Sequence, residues 1–375
     1  MLVTLPVDSS KDGNAKGKLH LWLTDNTHII DIGPVSGEDD DIAASSLLYK
    51  SAGSGDKKEE KLIALYEKKG GDDVTPHSLL TVTLNKQLQR VKDVLAMWKK
   101  VDDIVSKLCP SSDVESTSSG NACRDFKITD GLVGFLSGNF SENTWRDEYL
   151  GVNATVNSNE GVEQAKNGVT FKGRGAGAEW PVGSQGENQL YHFANYNFTL
   201  VATVSIDGAP KEEGSPIPLL GVRAGNDGGK NLMELSYETG KKWKVLCGSE
   251  NPKELSSTSE ETTHHVVILL RNGNQGSAYV DGQRVGGDVS CALENKDLEA
   301  ISHFYIGGDG KGTESGEGVS VTVTNVLLYN RPLSTAEIGA FNPNKDPIQP
   351  LDKEAAKPST VSPTSVITPV SPETP

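Results

Sequence analysis

Phe198-Thr199-Leu200-Val201-Ala202-Thr203-Val204-Ser205-Ile206 carries aliphatic, aromatic and β-branched side chains without a glycine, a proline or a charge. Such a run reads as a strand. His265-Val266-Val267-Ile268-Leu269-Leu270 and Ser277-Ala278-Tyr279-Val280 read as two more, joined in a hairpin through Asn272-Gly273-Asn274. Asp281-Gly282 then turns the chain into Gln283-Arg284-Val285. The same alternation of apolar runs and Gly, Asn or Asp turns extends from Phe126 to Leu333. Its spacing predicts about ten strands and a two-sheet β-sandwich. Ser334–Phe341 reads as a short closing helix, with Ser334 as its cap and Glu337 completing a capping box.

Upstream the period changes. Leu84, Leu88, Val91, Leu95, Trp98, Val101, Val105 and Leu108 recur in steps of three and four, which predicts one long amphipathic helix over residues 79–108. Pro110 stops it. Its apolar stripe reads as a spacer packed on its own domains. Before it, Leu19, Leu21 and Leu23 alternate with His20, Trp22 and Thr24, and His28–Val35, Ser46–Tyr49 and Lys61–Glu67 read as further strands. Four short strands make one antiparallel sheet that is marginal alone, so this region reads as one blade of something larger. Asp56–Lys61 reads as a hairpin tip and Glu38-Asp39-Asp40-Asp41 as a solvated turn. Beyond about residue 342, prolines alternate with serines and threonines; such a tail buries too little apolar surface to fold and reads as a disordered, mucin-like stalk.

The chain has 375 residues, with Lys+Arg 36 against Asp+Glu 51 and a net charge of -15. An acidic surface repels phosphate backbones, which argues against a nucleic-acid partner. No apolar run reaches the ~18–20 residues of a membrane span. Leu2–Val7 is shorter than a signal-peptide core and no basic residue precedes it.

Four cysteines, Cys109, Cys123, Cys247 and Cys291, allow three pairings. The simplest joins Cys109 to Cys123 across a short polar loop and Cys247 to Cys291 between two strand regions. No C-x-x-C occurs, which argues against zinc and dithiol redox chemistry. Asn139-Phe140-Ser141, Asn153-Ala154-Thr155 and Asn197-Phe198-Thr199 are glycosylation sequons. Together with the stalk they predict a secretory history.

Other constellations are weak. Gly307–Gly312 follows a strand into a polar loop rather than a helix, so it is a poor nucleotide cradle. Asp309 and Glu314 read as solvated rather than as calcium ligands. Adjacent His264 and His265 on a strand point to opposite faces and cannot chelate one metal. Trp145, Trp180 and Trp243 read as core residues rather than sugar platforms. No cofactor is expected.

Val321-Thr322-Val323-Thr324-Asn325-Val326-Leu327-Leu328-Tyr329-Asn330-Arg331 resembles the V-T-V-x-N-V-x-L-Y-N-R signature of the trypanosomal trans-sialidase superfamily. Asn197–Ile206, Tyr279-Val280-Asp281-Gly282, His303–Gly308, the long helix and Thr24-Asp25-Asn26 through Gly33-Pro34-Val35 are similar to that family as well. The resemblance covers essentially the whole chain. Lys107-Leu108-Cys109-Pro110 is similar to the non-catalytic surface glycoproteins of the family. The resemblance implies a mainly β protein: residues 1–77 as a remnant of a sialidase β-propeller, 78–109 as a connecting helix, 110–125 as a loop, 126–341 as a concanavalin A-like or laminin-G-like sandwich, and 342–375 as the tail.

Family enzymes grip the sialic acid carboxylate with three arginines and use an Asp acid/base with a Glu beside a Tyr nucleophile. Tyr49 falls on the nucleophile position, but no arginine precedes Arg90 and no S-x-D-x-G-x-T-W box occurs. Tyr49 therefore reads as a vestige, or as a strand-end tyrosine with a packed ring, and the chain as non-catalytic. The family's signature implies a host-cell adhesion segment, here Val321, Val323, Asn325, Val326, Leu328, Tyr329, Asn330 and Arg331, with Leu327 where the family commonly has Phe. By strict alternation Val321, Val323, Asn325, Leu327 and Tyr329 share one face, and a strand so apolar also reads as a core strand. The resemblance thus implies a monomeric cell-surface glycoprotein that binds host or matrix glycoproteins and glycans. The alternatives are the C-terminal portion of an active exo-α-sialidase or trans-sialidase, and an antigenic decoy without a defined ligand.

Overall fold

The computed structural model describes residues 1–8, 17–37, 40–53, 59–70, 76–108, 127–157, 161–173, 175–182, 191–208, 216–225, 228–238, 242–248, 253–256, 264–287, 291–293, 300–308 and 319–341. They fall into two compact units, one ending at Lys99 and the other beginning at Lys100. Expectations for the 110–125 loop, Cys109–Cys123, Asp309, Glu314 and the tail lie outside the described residues.

In the first unit, Leu2–Asp8, Gly17–Thr24 and Ile29–Pro34 form one antiparallel sheet in that order. Leu19, Leu21 and Leu23 are buried, as their alternation predicts. A second sheet joins Ile42–Ala52, Glu59–Lys68 and Ser78–Thr83. Two three-stranded sheets thus replace the single four-stranded one expected. Leu2–Asp8 escapes sequence reading because of Pro6, which a sheet accepts on an edge, and this strand is an edge. Ser78–Thr83 fits the helical period, yet its β-branched Thr81, Val82 and Thr83 favour a pleated strand.

The helix α1 accordingly spans Asn85–Val105 rather than starting at 79. Leu84, Leu88, Val91, Trp98, Val101 and Val105 are buried, but Val94 takes the inward position assigned to Leu95, which is 46% exposed. Within the first unit, Trp98 stacks against His28 and the Gln87 side chain donates to the Pro34 carbonyl at 2.8 Å. Asp40 is also a correction. It is buried rather than solvated, bonded to Lys68 at 2.5 Å and receiving the Tyr66 hydroxyl at 3.2 Å. Burial pushes its carboxyl up, but Lys68, the Gly37 N–H and Tyr66 together hold it below the usual range. The same burial, with Asp40's charge, pushes the Tyr66 phenol up to about 12.

The second unit is the expected sandwich, drawn more finely, with 17 strands among the described residues in one continuous hydrogen-bonded network. One layer runs through Val162–Ala165, Gly168–Lys172, Ser320–Tyr329, Asn197–Asp207, His265–Asn272 and Gln275–Val280. The other runs through Ala154–Val156, Gly177–Pro181, Ile301–Gly307, Ile217–Ala224, Lys230–Glu238, Lys242–Cys247 and Lys253–Ser256. A single apolar core fills the space between, including Trp145, Trp180, Trp243, Phe198 and Phe304. The helix α2, Thr335–Ala340, closes the unit. Ser334 accepts the Glu337 N–H while Glu337 accepts the Ser334 N–H, which is the capping box expected.

Candidate functional site

Tyr49 lies on Ile42–Ala52, the outermost strand of its sheet. Its ring is 51% exposed rather than packed, and its hydroxyl donates to Glu60 Oε1 at 2.6 Å. Lys92, on α1, pairs with the same carboxylate. The phenol therefore stands beside a carboxylate, and residues 1–89, to which it belongs, contain no arginine.

The signature strand, Ser320–Tyr329, runs through the middle of its layer, hydrogen-bonded to Gly168–Lys172, Asn197–Asp207 and Leu132–Ser141. Val321, Val323, Val326, Leu327, Leu328 and Tyr329 are all buried; Asn325, Asn330 and Arg331 are half-buried. The face assignment from strict alternation needs correction. Asn325 adopts a left-handed conformation with φ 52, and the register against Asn197–Asp207 shifts between Val201 and Thr203. This bulge resets the phase by one residue, so that Val321, Val323, Val326 and Leu328 share the inter-layer core. Asparagine tolerates that conformation better than a β-branched residue would. The opposite turn uses the same device: Asn167 has φ 65, and its carbonyl accepts the Asn325 N–H at 3.2 Å.

The end of the signature is a tie point. The Tyr329 hydroxyl donates to the Ile128 carbonyl at 2.9 Å, and burial pushes its phenol far up. Arg331 Nε donates to the Asp130 carbonyl at 2.9 Å, and its terminal nitrogens take both Glu337 oxygens at 3.1 and 2.7 Å. That fork raises the arginine further; burial alone would raise Glu337, but Arg331 and Ser334 hold it below the usual range. Thr199, fully buried, donates to the Arg331 carbonyl at 2.8 Å and accepts the Leu333 N–H at 3.0 Å.

Sequence reading misses one cluster. Asp147 is buried and accepts the N–H groups of Phe135 at 2.7 Å, Gly151 at 2.8 Å and Tyr149 at 3.3 Å. Burial nonetheless pushes its carboxyl up to about 7. Neighbouring Glu148 is pushed up to about 8 by burial and by Asp147, against the pull of Asn139 and Lys100. Tyr149 donates to Asp102 Oδ1 at 2.6 Å. Asp147-Glu148-Tyr149 gives no signal in sequence, because adjacent carboxylates usually sit in water.

The remaining sites are scattered. Cys247 and Cys291 form a disulfide with a Cα–Cα distance of 5.8 Å. Trp145, Trp180 and Trp243 are fully buried. His265 pairs with Asp281 at 2.7 Å. Of the sequons, Asn153 is exposed, Asn139 bonds Glu148, and Asn197 Oδ1 accepts the Gly273 N–H at 3.0 Å. Among the described residues, no three His, Cys, Asp or Glu side chains are grouped as a metal would require, and no helix is long and apolar enough to cross a membrane.

Comparison with known proteins agrees across the chain. The trans-sialidase C-terminal domain family matches residues 128–336, and the BNR repeat-like domain family matches residues 1–67. A sialidase of Trypanosoma cruzi is 34% identical over 339 residues, covering 90% of this chain and 27% of that protein. The Trypanosoma cruzi protein Sialidase 85-1.1 is 32% identical, covering 91% of this chain and 43% of its own length. Trypanosoma rangeli sialidase, solved as a covalent intermediate with 2,3-difluorosialic acid, superposes with a TM-score of 0.72 at 38% identity, covering 91% of this chain and 50% of that one. The chain therefore spans half or less of the length of these relatives.

Proposed function

The chain belongs to the trans-sialidase superfamily, and on that footing we propose that it is a non-catalytic surface glycoprotein whose sandwich binds host-cell or matrix glycoproteins. One observation carries the reading. Tyr49 has a carboxylate beside it, but the 89 residues before Arg90 supply no guanidinium to hold an anionic sugar. These residues by themselves offer a substrate carboxylate no guanidinium fork, the strong partner for such a group. Contact by the sandwich would be shallow, and display of many copies on one surface would raise its avidity.

In this reading the signature strand acts mainly as scaffold. Its buried valines, leucines and tyrosine hold the layer together, and Asn330 and Arg331 bring its end to the surface. A partner would meet loops and edges that this strand positions.

Two assays on the full chain separate the readings. Saturable binding to host cells or a glycan array, without turnover of a fluorogenic sialoside, is the expected result. Release or transfer of sialic acid, abolished in Tyr49→Phe, would instead support the second reading, a portion of an active sialidase. Its motivation is the likeness to Trypanosoma rangeli sialidase. Neither binding nor turnover would leave the antigenic decoy.

A further inference from the structure

The three sequons differ in which side-chain amide atom the fold engages. An N-linked sugar is joined through the nitrogen, Nδ2, and leaves the oxygen, Oδ1, as it was. At Asn153, Oδ1 accepts the Asp147 N–H at 3.0 Å; at Asn197, Oδ1 accepts the Gly273 N–H at 3.0 Å. Both amides are thus fixed by their oxygen, and Nδ2 has no hydrogen-bond partner among the described residues. Asn139 is turned the other way. It draws the buried Glu148 towards its charged form, so it donates to that carboxylate, and its side-chain donor is Nδ2. The setting is a tight hairpin of Leu132–Ser141 and Thr144–Asp147, with Glu142 and Asn143 at φ 50 and 60 in its turn. Glu148 continues the second strand, its N–H donating to the Phe135 carbonyl at 2.9 Å. Next to Asn139, Gln164 Nε2 donates to the Gly138 carbonyl at 2.8 Å, and a Cβ on Gly138 would stand 3.4 Å from the Asn167 nitrogen. A sugar ring on Asn139 would begin one bond from the atom that satisfies a buried carboxylate.

We infer that this chain carries N-linked sugar at Asn153 and Asn197 and none at Asn139, whose amide serves the interior as the partner of Glu148. The inference rests on the reading of the chain as a surface glycoprotein. The order of synthesis points the same way. Glu148 belongs to the same hairpin as Asn139, and a hairpin closes in ~1–10 μs while a ribosome adds ~5–20 residues per second. The Asn197 amide waits for Gly273, 76 positions downstream, and the Thr199 hydroxyl for Leu333, 134 positions downstream. The Asn197 acceptor therefore stays open through much of synthesis, whereas Asn139 meets its competing partner as soon as the hairpin is made.

Peptide mapping of the full chain, secreted from a eukaryotic host, tests this. Enzymatic release of the sugar in heavy-oxygen water converts each carrier asparagine to a labelled aspartate. Asn153 and Asn197 should be labelled and Asn139 should not. Ser141→Thr gives the Asn139 sequon the same hydroxyl residue as the other two and should leave Asn139 bare. Glu148→Ala removes the competing carboxylate and should bring sugar onto Asn139. Label at Asn139 in the unaltered chain or in Ser141→Thr overturns the inference, as does a bare Asn139 in secreted Glu148→Ala. Asn153 or Asn197 without label overturns it as well. A chain labelled at all three sequons overturns this inference alone; a chain labelled at none overturns with it the glycoprotein reading on which it rests.

Discussion

The two units handle the same kind of strand differently. In the sandwich, Ser320–Tyr329 has hydrogen-bonded neighbours along its length, and every aliphatic side chain from Val321 to Leu328 is buried. In the first unit, Ile42–Ala52 has one neighbour among the described residues and leaves both Leu48 and Tyr49 more than half exposed. The composition of a strand announces that it will pair; it does not announce whether its neighbours are supplied. Burial is a property of the assembly that a strand joins, which is why the family signature reads equally well as a recognition segment and as a core strand.

Mutations can break this contrast. Trp180→Ala removes a fully buried ring that packs edge-on against Tyr191 and donates to the Val152 carbonyl at 2.7 Å. It should cost about 3–5 kcal/mol in chemical denaturation. Thr199→Val removes the hydroxyl that bridges Arg331 and Leu333, stranding a buried carbonyl and an N–H. In unglycosylated protein this should cost about 1–3 kcal/mol.

Glu148 offers a sharper test, read as a slope. An unfolded glutamate loses its proton near 4.5, whereas folded Glu148 keeps it to about 8. Asp147 behaves alike between 3.8 and about 7. Between those limits the folded state binds more protons than the unfolded one. The stabilisation is therefore complete below pH 4 and is lost as pH rises towards 8. Glu148→Gln should flatten the fall in melting temperature between pH 5 and 8; an unchanged slope would show that Glu148 is not its source. At the other extreme, Leu48→Ser at an exposed position should change the stability of this chain by less than about 0.5 kcal/mol. A larger loss would mean that the position is covered.

Much of the sandwich is legible because its signals are local. The hairpin at Asn272-Gly273-Asn274, the Ser334–Glu337 capping box and the burial of three tryptophans need only a few neighbouring residues to be read. The Cys247–Cys291 pairing is legible for a different reason, since four cysteines allow few connectivities. The misses are non-local. The bulge at Asn325 depends on Asn167, far away in sequence, and flips the inward face without disturbing the pattern that precedes it. Asp40 looks like part of an acidic turn until Lys68 and Tyr66 arrive from another strand. Leu95 and Val94 both fit a helical stripe, and only tertiary packing chooses between them. Of the candidate site, the place of Tyr49 on a strand is legible; its exposure and its bond to Glu60 are not.

Thr199 is also the third residue of the Asn197 sequon. Once the chain has been synthesised to Leu333 and folds back, its hydroxyl is sealed inside, held by residues more than 130 positions downstream. A transferase needs that threonine accessible in an extended acceptor. A sugar at Asn197 would therefore have to be attached before the closing strand folds in, so the order of synthesis, rather than surface access in the finished protein, would decide whether that asparagine carries one.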